Sequence, residues 1–194
     1  MNSLDIDIGI NKYDYFLIVD LESTCCDKQS IPKGEHEIIE IGAVIVDAAD
    51  LVQIDSFTCF IRPVRHPKLT SFCTDLTSIK QCDVDNAYDF KTAINHFAGW
   101  LANYTDYLFC SWGNYDRNHL ASDCVYYNIA NPIKTEHLNI KKAFAKKQKT
   151  KSIGMQKALH LIQQPLVGTH HRGIDDAINM VELLPYCLGS KKIM

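Results

Sequence analysis

A short apolar run that ends in two acids constrains this chain most. Residues 15–21 (YFLIVDL) are rich in β-branched and aromatic residues without polar alternation, which is typical of a strand buried on both faces. Asp20 and Glu22 stand at its end, and side chains two apart on a strand point the same way. The run therefore predicts a central strand that presents paired carboxylates, either to solvent or to a divalent cation.

The remaining periodic segments predict an α/β fold. Residues 38–47 and 51–61 are strand-like, and the short Ala-Ala-Asp turn between them implies antiparallel pairing. A helical period over 87–102 precedes a fourth strand at 107–112. The other predicted elements are short helices within 69–84, a helix from its N-cap Asn114 to about 127, a strand at 137–140, and helices at 153–162 and 174–188, the last bent or ended by Pro185. This order predicts a mixed five-stranded sheet flanked by helices.

Composition narrows the class of protein. A length of 194 residues suits a single domain, 1–194, with its core at about 15–188. The net charge of -3 provides no global positive field, so nucleic-acid binding would rest on local patches or bound metal. Residues 1–12 show no leader pattern and no run approaches the ~20 apolar residues of a membrane span, so we expect a cytoplasmic protein with reduced cysteines.

Two later segments carry acids that the fold predicts near Asp20. Asp116 follows the fourth strand in SWGNYD, where Gly113 permits a sharp turn. It either stabilises the dipole of the next helix or joins Asp20, because ligands of open α/β sheets gather at the carboxyl ends of strands. In HHRGIDDA, His171 precedes Asp176 by about one helical turn, so packing of this helix against the sheet ends would bring both to the acids.

The neighbours of these residues receive structural interpretations. Asp175 is rotated by ~100° from Asp176 on the helix, so we expect it to complement the helix N-terminus. His170 is expected to be structural or exposed to solvent. Residues 141–151 (KKAFAKKQKTK) hold six lysines, which either track phosphates or form a solvated helix face.

These segments resemble the DEDD exonuclease superfamily, in the branch with a catalytic histidine and a ribonuclease H-like fold. The motifs are VDLEST with the IIEIGAV strand, SWGNYD, and HRGIDDA. The segment LTSFCTDLTSIKQCDVDNA and the ESTC loop are most similar to the three-prime histone mRNA exonuclease branch and its bacterial relatives. The resemblance covers about 15–188 and implies a 3′–5′ exonuclease that hydrolyses single-stranded RNA or DNA to nucleoside 5′-monophosphates.

The resemblance also implies a site with two Mg²⁺ ions, for which Mn²⁺ substitutes. Asp20, Glu22 and Asp176 would surround one ion and Asp20 with Asp116 the other, while His171 would be the general base. Because nearby carboxylates favour the protonated imidazole, we expect activity to rise toward mildly alkaline pH.

Contacts to the terminal nucleotides are implied in the same way. Ser23 and Thr24 would meet the ribose, and Ile39, Trp112 and Tyr115 the terminal bases, with core packing as the alternative for Trp112. Two other functions stay open on the sequence alone: a binding or regulatory module with incidental nuclease activity, and the proofreading subunit of a polymerase. The motifs predict neither a preference between RNA and DNA nor a protein partner.

Overall fold

In the computed structural model, a mixed sheet of five strands runs through the described residues, 12–28 and 30–193. The strands are β1 (Tyr15–Ser23), β2 (Ile38–Asp47), β3 (Gln53–Phe60), β4 (Tyr107–Ser111) and β5 (His137–Asn139). The helices are α1 (Ser71–Thr77), α2 (Gln81–Asp85), α3 (Phe90–Leu101), α4 (Tyr115–Tyr126), α5 (Ile140–Gln148), α6 (Met155–Leu161) and α7 (Gly173–Leu188). The predicted α/β class and order of elements are confirmed.

The strand order β3-β2-β1-β4-β5 places β1 at the centre of the sheet. β1 pairs antiparallel with β2, in a register that sets Asp20 opposite Gly42, and β2 pairs antiparallel with β3. On its other side β1 runs parallel to β4, which runs parallel to β5. The carboxyl ends of β1, β4 and β5 therefore meet at one edge, where open α/β sheets bind their ligands.

Helices cover both faces of the sheet because β1 is apolar on both sides. Phe16 and Ile18 belong to one buried cluster, which includes residues of α5, α6 and α7. Leu17 and Val19 belong to a second cluster, which includes residues of α3 and α4. All four side chains are 0% exposed, so the predicted burial of β1 on both faces is confirmed.

Two helix ends match the predicted bounds and add detail to them. α7 extends to Leu188, as the predicted range 174–188 has it, so Pro185 lies inside the helix and does not end it; Gly189 closes the helix with a left-handed φ of 88°. Asn114 is the N-cap residue of α4 as predicted, yet its side chain makes no capping hydrogen bond. Its Oδ1 instead accepts a hydrogen bond from Nδ2 of Asn139 at 2.9 Å, which ties the start of α4 to the end of β5.

Across the two described ranges, every helix is too short or too polar to cross a membrane. The prediction that the first twelve residues hold no leader falls almost entirely on residues 1–11, which lie outside the described part of the chain.

Candidate active site

The end of β1 places Asp20 and Glu22 on the same side of the sheet. They lie opposite Gly42 and Glu40 of β2, and the pairing becomes irregular immediately afterwards, between Glu22 and Ser23. Glu22 is only 8% exposed although it carries a carboxylate. Two acids held this close in a largely buried position repel one another unless a proton or a cation compensates them.

Asp116 reaches the same place from the first turn of α4. The chain turns sharply after β4 at Gly113, whose φ of 124° is the left-handed conformation that glycine tolerates. Asp116 is 5% exposed, and its Oδ1 accepts a hydrogen bond from the backbone N–H of Leu21 at 3.2 Å. The structure thus brings Asp116 against the residue between the two acids of β1.

A contact between two glycines brings α7 onto the sheet. A Cβ on Gly42 would lie 2.0 Å from the carbonyl carbon of Gly173, and a Cβ on Gly173 would lie 2.9 Å from the carbonyl oxygen of Asp20. Only residues without side chains allow this approach. The contact positions Asp176, one turn further along α7, so that carboxylate oxygens of Asp20, Glu22 and Asp176 lie within 4.8 Å of one another.

His171 lies in the loop before α7 with a left-handed φ of 63°. Its backbone N–H donates to Oδ2 of Asp176 at 3.0 Å, and its ring stacks on that of His170 with 3.9 Å between centroids. One cavity of about 350 Å³ is lined by all five predicted site residues, together with Trp112, Tyr115 and the start of α6; the five are Asp20, Glu22, Asp116, His171 and Asp176.

The electrostatics of the acids favour a bound cation. Burial raises the pKa of the Asp20 carboxyl well above its ordinary range, and the charges of Asp116 and Glu22 add to this effect. Burial, then the charges of Asp176 and Glu40, raises the pKa of Glu22 to about 8. Burial also raises the pKa of Asp116. Oxygen ligands at this spacing fit a hard divalent ion, whose charge would stabilise the ionised forms.

Asp176 raises the pKa of His171 as expected, but two other effects outweigh it. Burial lowers the pKa of His171, and the neighbouring His170 lowers it further, whereas Asp176 raises it by less. The imidazole is therefore neutral, and able to accept a proton, at a lower pH than the acids alone suggested.

The residues predicted to meet the substrate fall into different environments. Trp112 and Tyr115 line the cavity, and Tyr115 is 55% exposed. Trp112 also packs against the core, with its ring centroid 6.3 Å from that of Phe144, so the two interpretations of this residue coexist. Ser23 is 7% and Thr24 1% exposed, and the Thr24 hydroxyl is already engaged, accepting from the backbone N–H of Glu37 at 2.9 Å.

Ile39 lies elsewhere than its predicted role requires. It is 0% exposed and packs in a small buried cluster with Cys73, Ile79 and Val84. In this structure Ile39 supports the packing of α1 and α2 on the sheet and offers no surface to a base, which corrects the expectation of a base contact.

Sequence reasoning missed the buried ion pair between Glu40 and Arg172. Glu40 is 0% exposed, and its carboxylate accepts from Nε and Nη2 of Arg172 at 3.1 and 3.2 Å and from the backbone N–H of Gly173 at 3.0 Å. The pair anchors the loop that contains His171 to strand β2. An acid within the otherwise apolar IIEIGAVIVD was the available signal, because a buried carboxylate requires a partner.

The two neighbours that received structural interpretations behave differently. Asp175 points back along the chain, where its Oδ2 accepts from the backbone N–H of Thr169 at 2.7 Å, so it secures the loop before α7. His170 is more closely involved in the site than expected. Its Nδ1 lies 2.9 and 3.1 Å from the two carboxylate oxygens of Asp176.

A ribonuclease H-like sheet with acids converging at the carboxyl end of its central strand defines a nuclease of the DEDDh type. The chain belongs to the RNase_T family, described as exonuclease, which matches residues 17–184. Divalent-metal dependence is a property of this family. A solved structure with the same architecture is the nuclease domain of 3′hExo, a DEDDh family member, bound to rAMP; the TM-score is 0.84 at 27% identity, covering 92% of this chain and 93% of that one.

Several curated proteins are similar along most of the chain. The 3′-5′ exonuclease Snipper of Drosophila melanogaster is 29% identical, over 91% of this chain and 70% of its own length. The probable 3′-5′ exonuclease KapD of Bacillus subtilis is 32% identical, over 86% and 81%. ERI1 exoribonuclease 3 of Homo sapiens is 30% identical, but the chain spans only 53% of that protein.

Proposed function

We propose that this chain is a metal-dependent 3′–5′ exonuclease that removes nucleotides from the 3′ end of single-stranded RNA or DNA and releases nucleoside 5′-monophosphates. The supporting observation is one cavity to which β1, α4 and α7 bring four carboxylates and the loop before α7 brings an imidazole. The named activities of the relatives agree with this chemistry.

Each of the five residues receives a role in this proposal. Asp20, Glu22 and Asp176 would hold one divalent ion, and Asp20 with Asp116 a second, with Mg²⁺ as the proposed ion and Mn²⁺ as a substitute. Such ions, when bound, acidify a coordinated water and offset charge on the phosphate. His171 accepts the proton of the attacking water, because its lowered pKa keeps the imidazole neutral and the stacked ring of His170 supports it.

The walls of the cavity determine how a strand end enters. The exposed ring of Tyr115 and the partly buried ring of Trp112 provide apolar faces for the terminal bases. The backbone at Ser23 and Thr24, held by the hydrogen bonds of Thr24 to Glu37 just before β2, meets the terminal ribose. Stacking on rings tolerates any base, so the proposed substrate class is a single-stranded 3′ end without sequence preference.

We further propose that 1–194 act as one exonuclease domain and that the protein works in the cytoplasm. The family match over 17–184 and the joint burial of β1 against five of the helices support the first statement. Limited proteolysis and cell fractionation test the two statements separately.

The activity test uses strands labelled at the 3′ or the 5′ end. Purified protein with Mg²⁺ should shorten both RNA and DNA from the 3′ end, and chelation should abolish the reaction. Asp116→Asn should be inactive, whereas Asp75→Asn, on an exposed position of α1, should match the wild type. Shortening in excess chelator, or full activity of Asp116→Asn, would refute the proposal.

A further inference from the structure

Two imidazoles and Asp176 form a second cluster of possible metal ligands beside Asp20 and Glu22. Ligand atoms of His170, His171 and Asp176 all lie within 4.8 Å of one another. Nδ1 of His170 contacts both carboxylate oxygens of Asp176 at 2.9 and 3.1 Å. The side chain of His170 is 31% exposed and lines the cavity, so solvent reaches the cluster.

The backbone is shaped to bring the two histidines together. Consecutive side chains usually diverge, but the left-handed φ of 63° at His171 turns both rings to one side, where they stack at 23° and 3.9 Å. For a residue with a side chain this conformation costs about 1 kcal/mol or more, and His171 is one of seven described residues other than glycine that adopt it. Bonds from Arg172 to Glu40 and from Thr169 to Asp175 hold the loop in place.

We propose that His170, His171 and Asp176 form a binding site for a borderline transition-metal ion, with Zn²⁺ as the representative ion. Two imidazole nitrogens and one carboxylate oxygen are one of the ligand sets found in three-ligand zinc sites, whereas Mg²⁺ prefers oxygen ligands. Bond lengths of about 2.1 Å in a tetrahedron set ligand atoms about 3.4 Å apart. The contacts from 2.9 Å to within 4.8 Å bracket this value, and the two imidazole rings would leave their stack so that one nitrogen of each faces the ion.

An ion in this site would prevent the catalytic ions from binding as proposed above. Asp176 belongs to both ligand sets, and His171 cannot accept a proton while its ring nitrogen binds an ion. Zn²⁺ therefore acts as an inhibitor that competes with the catalytic ion. This consequence rests on the proposed function, whereas the binding itself does not.

Calorimetric titration of metal-free protein with ZnCl₂ tests the binding. We expect one Zn²⁺ per chain and an affinity that falls by about tenfold or more in His170→Asn and His170→Gln. His160→Asn, at an exposed position on α6, is the matched control and should bind as the wild type does. Equal Zn²⁺ affinity of wild type and both folded His170 variants would overturn the site.

A double variant separates the cluster from the acids of β1. Asp20→Asn with Glu22→Gln removes two of the three oxygen ligands of the neighbouring group but leaves His170, His171 and Asp176 in place. It should keep Zn²⁺ binding and lose Mg²⁺ binding; loss of both would show that Zn²⁺ binds the acids instead and would overturn the inference. If the proposed nuclease function fails, Zn²⁺ still binds and Mg²⁺-dependent cleavage is absent, so the two failures are distinguishable.

Discussion

Replacing Glu22 with glutamine is expected to stabilise the metal-free protein at alkaline pH, although it removes a proposed ligand. The pKa of this carboxyl rises from 4.5 to about 8 on folding because the side chain is buried and faces Asp176 and Glu40. Between pH 4.5 and about pH 8, Glu22 therefore binds more protons in the folded state than in the unfolded state. Stability therefore falls as pH rises through this window, and a neutral amide escapes the loss.

The size of the effect follows from that pKa. A rise from 4.5 to about 8 corresponds to at most about 5 kcal/mol, at about 1.4 kcal/mol per pH unit. For a chain of this length, 1 kcal/mol shifts Tm by about 2–4 °C. We expect Glu22→Gln to raise Tm by at most about 10–20 °C at pH 8 and by about 2 °C at pH 5.

Thermal unfolding followed by circular dichroism, in chelator at pH 5, 6.5 and 8, measures this difference. Glu182→Gln, on an exposed position of α7, is the control and should show no pH-dependent gain. Saturating Mg²⁺ should raise the Tm of the wild type by more than that of Glu22→Gln, because the variant lacks a ligand of one of the two proposed ions. A metal-free variant that is no more stable than the wild type at pH 8 would refute the electrostatic account of the site.

Three further outcomes are expected. His171→Asn should lower kcat by about 10²–10⁴-fold and still bind Mg²⁺. Because burial lowers the pKa of His171, the rate of the wild type should already be near its plateau at pH 7. A tenfold increase in the wild-type rate from pH 7 to 8.5 would contradict this. Glu40→Gln should lower the free energy of unfolding by about 3 kcal/mol in urea titration, because it leaves Arg172 without its partner; wild-type stability would contradict the ion pair. Ser78→Gly, which relieves a φ of 61° at the end of α1, should raise that free energy by about 1 kcal/mol, and a decrease would count against strain there.

Local periodicity was sufficient to predict the sheet and the acids at its edge. The apolar run of β1 and the two-residue spacing of Asp20 and Glu22 can be recognised from adjacent residues alone, so they predict a buried strand with two acids at its end. Asp116 was predicted from the rule that strand ends of an α/β sheet gather ligands, and Asp176 from the packing of its helix against those strand ends. The structure places both of them in the same cavity as Asp20.

Features that depend on distant partners were not predictable in this way. Glu40 and Arg172 are 132 residues apart, and neither residue alone indicates the other. The depth of Ile39 depends on helices that pack later in the chain. The pKa of His171 depends on how deeply its loop is buried and on the ring of His170, whereas sequence reasoning considered only the surrounding acids.

The geometry of the proposed metal ligands depends on Gly42 and Gly173, although neither residue has a functional side chain. Even a methyl group at position 42 would clash with the backbone of Gly173, so α7 would have to move away from the sheet. This shift would separate Asp176 from the acids of β1. A random screen for inactive clones should therefore recover substitutions at Gly42 as readily as at the acids themselves. Such clones would keep every ligand in the sequence and yet fail to assemble the ligands around an ion.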